Sequence, residues 1–401
     1  MTPRVLFVDD ETALLDMIRR RILAQGEDIA ADFATSGAEA LALLGQRDYD
    51  VVVSAMLMPD MAGASLLGQV ARQHPQTARL ILTGQFDSAR SLEYARMAHQ
   101  LLLKPAPVGE ILTTVKNLSQ LRTVLTDKKL SELVGRLVSL PVAPDIYQRM
   151  TSALGNEKVS LDDVGAIVAS DPALSASILR LCNSAFFGLS HKVSSPADAV
   201  RFMGTQTLKS FVLFHELFQS MDPRNSVLFE IDALWAHCVR TAGFSRCIVY
   251  TEKGDAKQTE TSFLAGLLHD IGMLVLAENF PDDYHPLRTW AAQVGAPLHE
   301  AERREFGACH AEVGAFVMGL WGLPAEAAWA VAYHHEPMRL VESGCSLLVA
   351  LHAADALDHE LHQTSGARAR LDLAYLALTG CMERLPAWKE VCAATLLEAT
   401  E

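Results

Sequence analysis

The sequence lacks the signatures of several protein classes. Its seven cysteines (Cys182, Cys238, Cys247, Cys309, Cys345, Cys381, Cys392) are scattered, and no two form a Cys-x-x-Cys pair. This argues against a zinc ribbon or a disulfide scaffold and for reduced thiols in a cytoplasmic protein, most of them packed in helices. Basic charge is scarce: 34 Lys and Arg stand against 48 Asp and Glu, a formal net charge of −14. A general grip on nucleic acid needs clustered cations, so no nucleic-acid partner is expected. No uninterrupted apolar run is long enough to span a bilayer, so no membrane association is expected. The opening stretch Met1–Asp10 has too short an apolar segment for a signal peptide and ends in two acids.

What is present divides into two styles of sequence. At 401 residues the chain exceeds one small core, and two or three domains are expected. Near the start, apolar runs at Arg4–Val8, Asp50–Ser54, Arg79–Thr83 and Gln100–Leu103 read as strands. Helical patterns lie between them, at Thr12–Gln25, Ala38–Leu44 and Ala64–Gln73. Strand–helix alternation implies a parallel sheet covered by helices, with its site at the carboxyl ends of the strands. Asp9, Asp10, Ala55, Thr83 and Lys104 all fall at such ends. From Val108 to Leu137, apolar residues recur at spacings of three and four. They predict a last helix of the first domain running into a connecting helix; ordinary packing or a short coiled coil, hence a homodimer, would both use that stripe.

Beyond Leu140 the pattern is helical. Ser160 with Asp163 fits a capping box, and Asp171-Pro172 and Ser195-Pro196 read as helix starts. Phe263 to Val275 forms a wide apolar face, which predicts a central helix. Thr251–Thr261 reads as a polar loop, Asn183-Ser184 as a helix end, and Phe186-Phe187 and Phe211–Phe214 as core.

Phosphoryl transfer to a carboxylate needs an attacking oxygen, a divalent cation on oxygen ligands, and donors for the phosphoryl oxygens. Asp9 and Asp10 can hold Mg²⁺, while Thr83 and Lys104 supply a hydroxyl and an ammonium. Together Val8-Asp-Asp-Glu11, Met58-Pro59, Thr83-Gly84 and Lys104-Pro105 resemble the receiver domain of two-component response regulators. The resemblance implies a doubly wound five-stranded parallel sheet over residues 1–120, with a sensor histidine kinase or another signalling protein as partner. It also places Ala55 at the phosphoacceptor position, and Leu101 where many receivers carry an aromatic switch residue. A methyl group has no nucleophilic oxygen, so residue 55 cannot be phosphorylated. Its alanine is either native to a pseudo-receiver or a deliberate replacement of aspartate, and either fixes the chain in one signalling state.

The helical half carries His237, His269-Asp270, His310, His334-His335 and Asp355, each on or at the end of an apolar helix. Buried polar groups need partners, and imidazoles with a bridging carboxylate can share metal ions. The order resembles the HD superfamily of metal-dependent phosphohydrolases. The wider text resembles its HDOD branch: Leu140-Pro-Val-Ala-Pro144, Ser170-Asp-Pro-Ala-Leu174, Leu181-Cys-Asn-Ser-Ala185, Leu268-His-Asp-Ile-Gly272, Glu312-Val-Gly-Ala315, Trp321-Gly-Leu-Pro324 and His334-His-Glu-Pro337. The resemblance implies a helical linker over 121–138, then an all-α domain over 139–401 that acts through an output protein partner. The alternative it carries is a phosphohydrolase acting on a nucleotide such as a cyclic dinucleotide, with a divalent Fe, Mn or Zn centre. The related HD-GYP enzymes add a Gly-Tyr-Pro segment after the His-His pair and, in some, a glutamate before the first His. Here Pro337-Met-Arg-Leu and Ala233 stand at those places. His310, His334 and His335 read equally as ligands or as hydrogen-bonded structural residues. His191, His215, His285, His299, His352 and His359 read as surface or packing residues.

Overall fold

The computed structural model describes residues 2–74, 77–84, 98–125, 128–137, 145–154, 159–184, 193–219, 230–321, 323–362 and 370–398. The chain divides into two compact units. One comprises Met1–Val142, Phe306–Ala308 and Ala315–Trp329; the other comprises Ala143–Glu305, Cys309–Gly314 and Ala330–Glu401. The expected Leu140–Pro144, Phe186-Phe187 and His191 features lie outside the described residues, as do Ala185 and Gly322 of two other motifs.

The first unit holds a parallel sheet. Strands β1 (Arg4–Val8), β2 (Ala30–Ala34), β3 (Val51–Ala55) and β4 (Ala78–Thr83) are joined at one edge by the four-residue β5 (Gln100–Leu103). Their order is β2-β1-β3-β4-β5. Val5–Val8, Val51–Val53 and Leu80–Leu82 are almost completely buried, as expected of inner parallel strands covered on both faces. β2 did not stand out in the sequence because it is an edge strand of mixed residues, Ala-Ala-Asp-Phe-Ala, only the last of them buried. The chain reverses its winding between β1 and β3, so the crevice at their carboxyl ends is the topological switch point. Two helices, Val108–Leu125 and Lys128–Arg136, follow the sheet.

The second unit is helical throughout its described residues. Its local starts follow the side-chain chemistry. Ser160 and Asp163 cap each other reciprocally, Asp171 accepts from the backbone of Ala173 and Leu174, and Ser195 accepts from Asp198. Asn183 and Ser184 close a helix by bonding back to the carbonyls of Leu179 and Leu181. The expected loop at Thr251–Thr261 is shorter than its polarity suggested. Helix Ile231–Thr251 ends there, and helix Ala256–Leu268 begins after an Asp255–Gln258 capping box. The polar residues of 256–260 belong to the outer face of that helix's first turns.

Phe263–Ala277 is buried at every position. The stretch Ala256–Asn279 is long and apolar enough to cross a membrane, but 94% of its apolar window is buried within the protein, as in a core helix. It is also interrupted. His269 ends one helix and Asp270 opens the next, Ile271–Asn279. Gly272 lies two residues on, and a Cβ there would sit 1.9 Å from the carbonyl oxygen of His310. Glycine is required because two helix backbones touch, and that contact brings the start of helix His310–Leu320 beside Asp270.

Candidate functional site

In the first unit the strand register assembles one group of side chains. Val8 pairs with Ser54, Ala55 with Leu82 and Thr83 with Leu103, so Asp9, Ala55, Thr83 and Lys104 end four neighbouring strands at one level. Asp9, Ala55 and Thr83 are buried, and Asp10 is exposed. The ammonium of Lys104 donates to Asp9 Oδ2 at 2.6 Å, and Glu11 lies 3.9 Å from it. The charge of Lys104 is therefore balanced across the methyl group of Ala55.

The second unit assembles all seven of its sequence-derived candidates in two groups. His237, His269 and Asp355 form one; Asp270, His310, His334 and His335 form the other. They come from five segments: helix Ile231–Thr251, the His269-Asp270 break, the start of helix His310–Leu320, the turn after helix Ala325–Tyr333, and helix Leu347–Leu361. Asp270 faces both groups. Its Oδ2 is 3.3 Å from His269 Nε2, and its Oδ1 is 3.2 Å from His310 Nε2 and 3.8 Å from His334 Nε2.

The ring nitrogens are oriented from behind. His269 and His334 donate Nδ1–H to the carbonyls of Gly266 and Val331, at 2.8 and 2.7 Å. His237 and His310 direct Nδ1 at buried carboxylates, Asp358 at 2.7 Å and Glu302 at 2.6 Å. Each carboxylate is anchored in turn: Arg240 grips Asp358 through two nitrogens, and the Tyr284 hydroxyl donates to Glu302. With Nδ1 so used, the four Nε2 atoms point inward. His237 Nε2 and His269 Nε2 meet at 3.1 Å, and His310 Nε2 and His335 Nε2 at 2.9 Å. Two bare lone pairs at that distance repel, so each pair needs a proton on one ring or a cation between them. In addition Asp270 Oδ1, His334 Nε2 and Asp355 Oδ2 are buried without a hydrogen-bond partner. A native structure rarely leaves such groups unsatisfied, and a site for cations accounts for all three.

The charge state agrees. Burial pushes the imidazole of His237 down, but Asp355 and Asp358 overcome it and hold it up at about 10. Burial likewise opposes protonation of His310, and Glu302 with Asp270 raises it to about 10. Against burial, His269 and His310 hold Asp270 well below the usual carboxylate range. Asp355 is also held well down, against burial, chiefly by its hydrogen bond to His237. His334 falls to about 3, driven by burial and by the neighbouring His269. The pocket thus keeps its carboxylates ionised and gathers protons on His237 and His310, as a cavity that favours positive charge would.

Comparison with protein-family models matches residues 5–116 to the response regulator receiver domain and residues 140–337 to the HDOD domain. The chain is a receiver domain joined to an HDOD domain. Among curated proteins, this receiver–HDOD protein is 27% identical over 213 residues to an uncharacterized protein of Treponema pallidum, covering 52% of this chain and 40% of that one. It is 26% identical over 165 residues to the DNA-binding transcriptional regulator NtrC of Escherichia coli, covering 39% of this chain and 34% of the relative. The chain thus spans well under half the length of these two relatives. Among solved structures, an HDOD domain protein of unknown function from Geobacter sulfurreducens superposes with a TM-score of 0.52 at 23% identity, over 68% of this chain and 94% of that one. That likeness establishes the fold alone.

Several residues of the receiver–HDOD protein's site went unread in its sequence. Asp358, Arg240, Glu302 and Tyr284 orient the inner histidines. An Asp at 358, three residues after Asp355 on a buried helix, was the signal that could have flagged one of them. His299 and His359, expected at the surface or in packing, stack on His335 and His237. His352, also buried, bonds to the His334 carbonyl, and His215 packs among Phe211 and Trp235.

Proposed function

We propose that this response regulator carries a two-cation centre in its HDOD output domain. His237, His269 and Asp355 would hold one divalent ion, His310, His334 and His335 would hold the other, and Asp270 would serve both. The observation that carries this reading is the inward convergence of Nε2 atoms, 3.1 and 2.9 Å apart, on imidazoles whose Nδ1 atoms are engaged elsewhere in three cases of four. Five imidazoles and two carboxylates suit Fe, Mn or Zn better than Mg²⁺, which belongs with the oxygen ligands of the receiver. Metal analysis of the purified chain tests it: about two ions per chain are expected, and none after His269→Ala or Asp270→Ala. A chain that purifies metal-free and takes up no added Fe, Mn or Zn overturns the reading.

The output then follows one of two routes. In the first, the HDOD domain binds an output protein, with the receiver biasing the arrangement it presents. Ala55 removes an acyl phosphate from that bias, so a histidine kinase or other signalling partner would act by docking alone. In the second, the domain is a phosphohydrolase for a nucleotide or another phosphate ester. Bound ions would there supply positive charge and a nucleophilic water. The protein's share is to orient the imidazoles through Asp358, Glu302 and the two carbonyls. Its edge is open to solute: the His237, Asp270 and His335 side chains are 10–13% exposed, while those of His269 and His334 are closed off. That opening favours the second route enough to test it by turnover of a phosphodiester, abolished by Asp270→Ala. A cytoplasmic location and a homodimer remain part of the proposal.

A further inference from the structure

His335 is held differently from the other imidazoles of the cluster. His237, His269, His310 and His334 each direct Nδ1 at a carboxylate or a carbonyl. His335 Nδ1 lies 3.9 Å from Asp355 Oδ2, beyond hydrogen-bond reach. Next to it in the chain, however, begins a network of four charged side chains. Arg303, on helix Leu298–Phe306, donates to both oxygens of Glu336, Nη1 to Oε1 at 2.8 Å and Nη2 to Oε2 at 2.9 Å. Arg339, in the short turn Pro337–Arg339, donates to Glu336 Oε2 at 3.2 Å. Both arginines also reach Glu312 Oε1, each at 3.3 Å. Glu312 in turn accepts from the backbone N–H of Cys309, the residue before His310.

The connectivity decides what this network does. Arg303 follows Glu302, the carboxylate that orients His310. Its guanidinium therefore ties together helix Leu298–Phe306, the start of helix His310–Leu320 and the turn that carries His334 and His335. An isolated exposed ion pair holds little in place. A two-pronged guanidinium–carboxylate fork is directional, and this one is partly shielded: the Arg303 and Glu312 side chains are 25% and 16% exposed. Arg339 also lies with its guanidinium 4.9 Å over the ring of Tyr333, at the other end of the same turn. We propose that Arg303 and Arg339 are positioning residues for the second donor group: acting through Glu336, they set His335 where its Nε2 meets that of His310. This rests on the two-cation reading, and neither arginine touches the cations. The first group has its own guanidinium, Arg240, gripping Asp358 behind His237, so the two groups are braced separately.

Manganese is the probe. The full-length chain is stripped of metal and titrated with Mn²⁺ by calorimetry, and electron paramagnetic resonance separates a coupled pair of ions from an isolated one. The unaltered chain should take up about two coupled ions. Arg303→Met should bind the second ion about 10- to 100-fold more weakly and show an isolated-ion signal once one site is filled. Arg303→Lys keeps the charge without the fork and should fall between the two. Arg303→Met added to His335→Ala should weaken the second site no further than His335→Ala alone, because the arginine acts through that ring; added to Arg240→Met, its loss should be additive. A purely structural brace would lower the melting temperature while weakening neither site, or both alike. That result, or additive losses with His335→Ala, overturns the positioning role and leaves the centre standing. Should Arg303→Met fail to fold, Glu336→Gln keeps the shape and removes the charge, and the same selective loss of the second ion is expected of it. An unaltered chain that binds no Mn²⁺ overturns the positioning role and the centre together.

Discussion

The receiver crevice and the HDOD cluster are both gatherings of charge, but they handle it differently. At the receiver the ammonium of Lys104 reaches Asp9 at 2.6 Å across the methyl group of Ala55, and the charges answer one another. In the HDOD cluster the inner atoms do not: Asp270 Oδ1, His334 Nε2 and Asp355 Oδ2 are left without hydrogen-bond partners, and imidazole nitrogens crowd together at 2.9 and 3.1 Å. A polar site that closes on itself can rest without a ligand. One that aims its lone pairs at a common point is costly unless something positive arrives. The contrast separates a receiver crevice whose charges answer one another from an HDOD domain whose donors converge.

The comparison can be broken most sharply by all-or-none changes. Asp270→Ala should abolish metal retention, since it removes the carboxylate whose Oδ2 faces His269 and whose Oδ1 faces His310; retained metal in that variant would mean that the groups do not form a shared centre. Ala55→Asp should convert a chain inert to acetyl phosphate into one that gains a phosphoryl group, read by mass spectrometry. An Ala55→Asp chain that takes up no phosphoryl group, or takes it up elsewhere than at residue 55, would refute the strand-register assignment. A smaller effect is expected of Gly272→Ala. The added methyl group meets the His310 carbonyl, so unfolding free energy should drop by about 3 kcal/mol, visible as a lower melting temperature; an unchanged melting temperature would show that the helices can separate freely.

Finer tests address the orienting residues. Asp358→Asn should weaken metal binding about 10- to 100-fold without unfolding the domain, and competition with a chelator would read it. A graded effect concerns pH. His237 and His310 are held up at about 10 in the metal-free protein, so near neutrality a cation must displace their protons. Metal affinity should therefore climb as pH rises toward 10 and fall as it drops, by about tenfold per unit for each proton displaced. The same raised values stabilise the metal-free fold fully below about 6.5, a contribution lost as pH passes 10. A pH-independent affinity between 6 and 8 would show that those imidazoles bind as neutral groups.

Much of this architecture was legible because it is written in local patterns. Arg4–Val8 and Thr12–Gln25 emerged with the ends the sequence suggested, since buried runs and three-four spacing need no distant information. His269-Asp270 stood out because adjacent ionisable residues in an apolar helix demand an explanation. What stayed hidden was relational. Glu302 and Tyr284 are an ordinary glutamate and tyrosine until the fold sets one behind His310. His299 and His359 carried no pattern, because stacking depends on ring angles set by three-dimensional packing. The polar start of helix Ala256–Leu268 misled for a related reason: polarity marks exposure, and an exposed helical turn and a loop share it.

The backbone contact at Gly272 has one further consequence. Its other neighbour there, Gly314, also lacks a side chain, so nothing compressible separates the segment after Asp270 from the helix that begins at His310. The spacing between the bridging carboxylate and the second group of imidazoles is thereby gauged by main chain against main chain. Such a gauge does not relax to suit a larger or smaller ion, so size discrimination would come from the scaffold and survive changes among the outer residues.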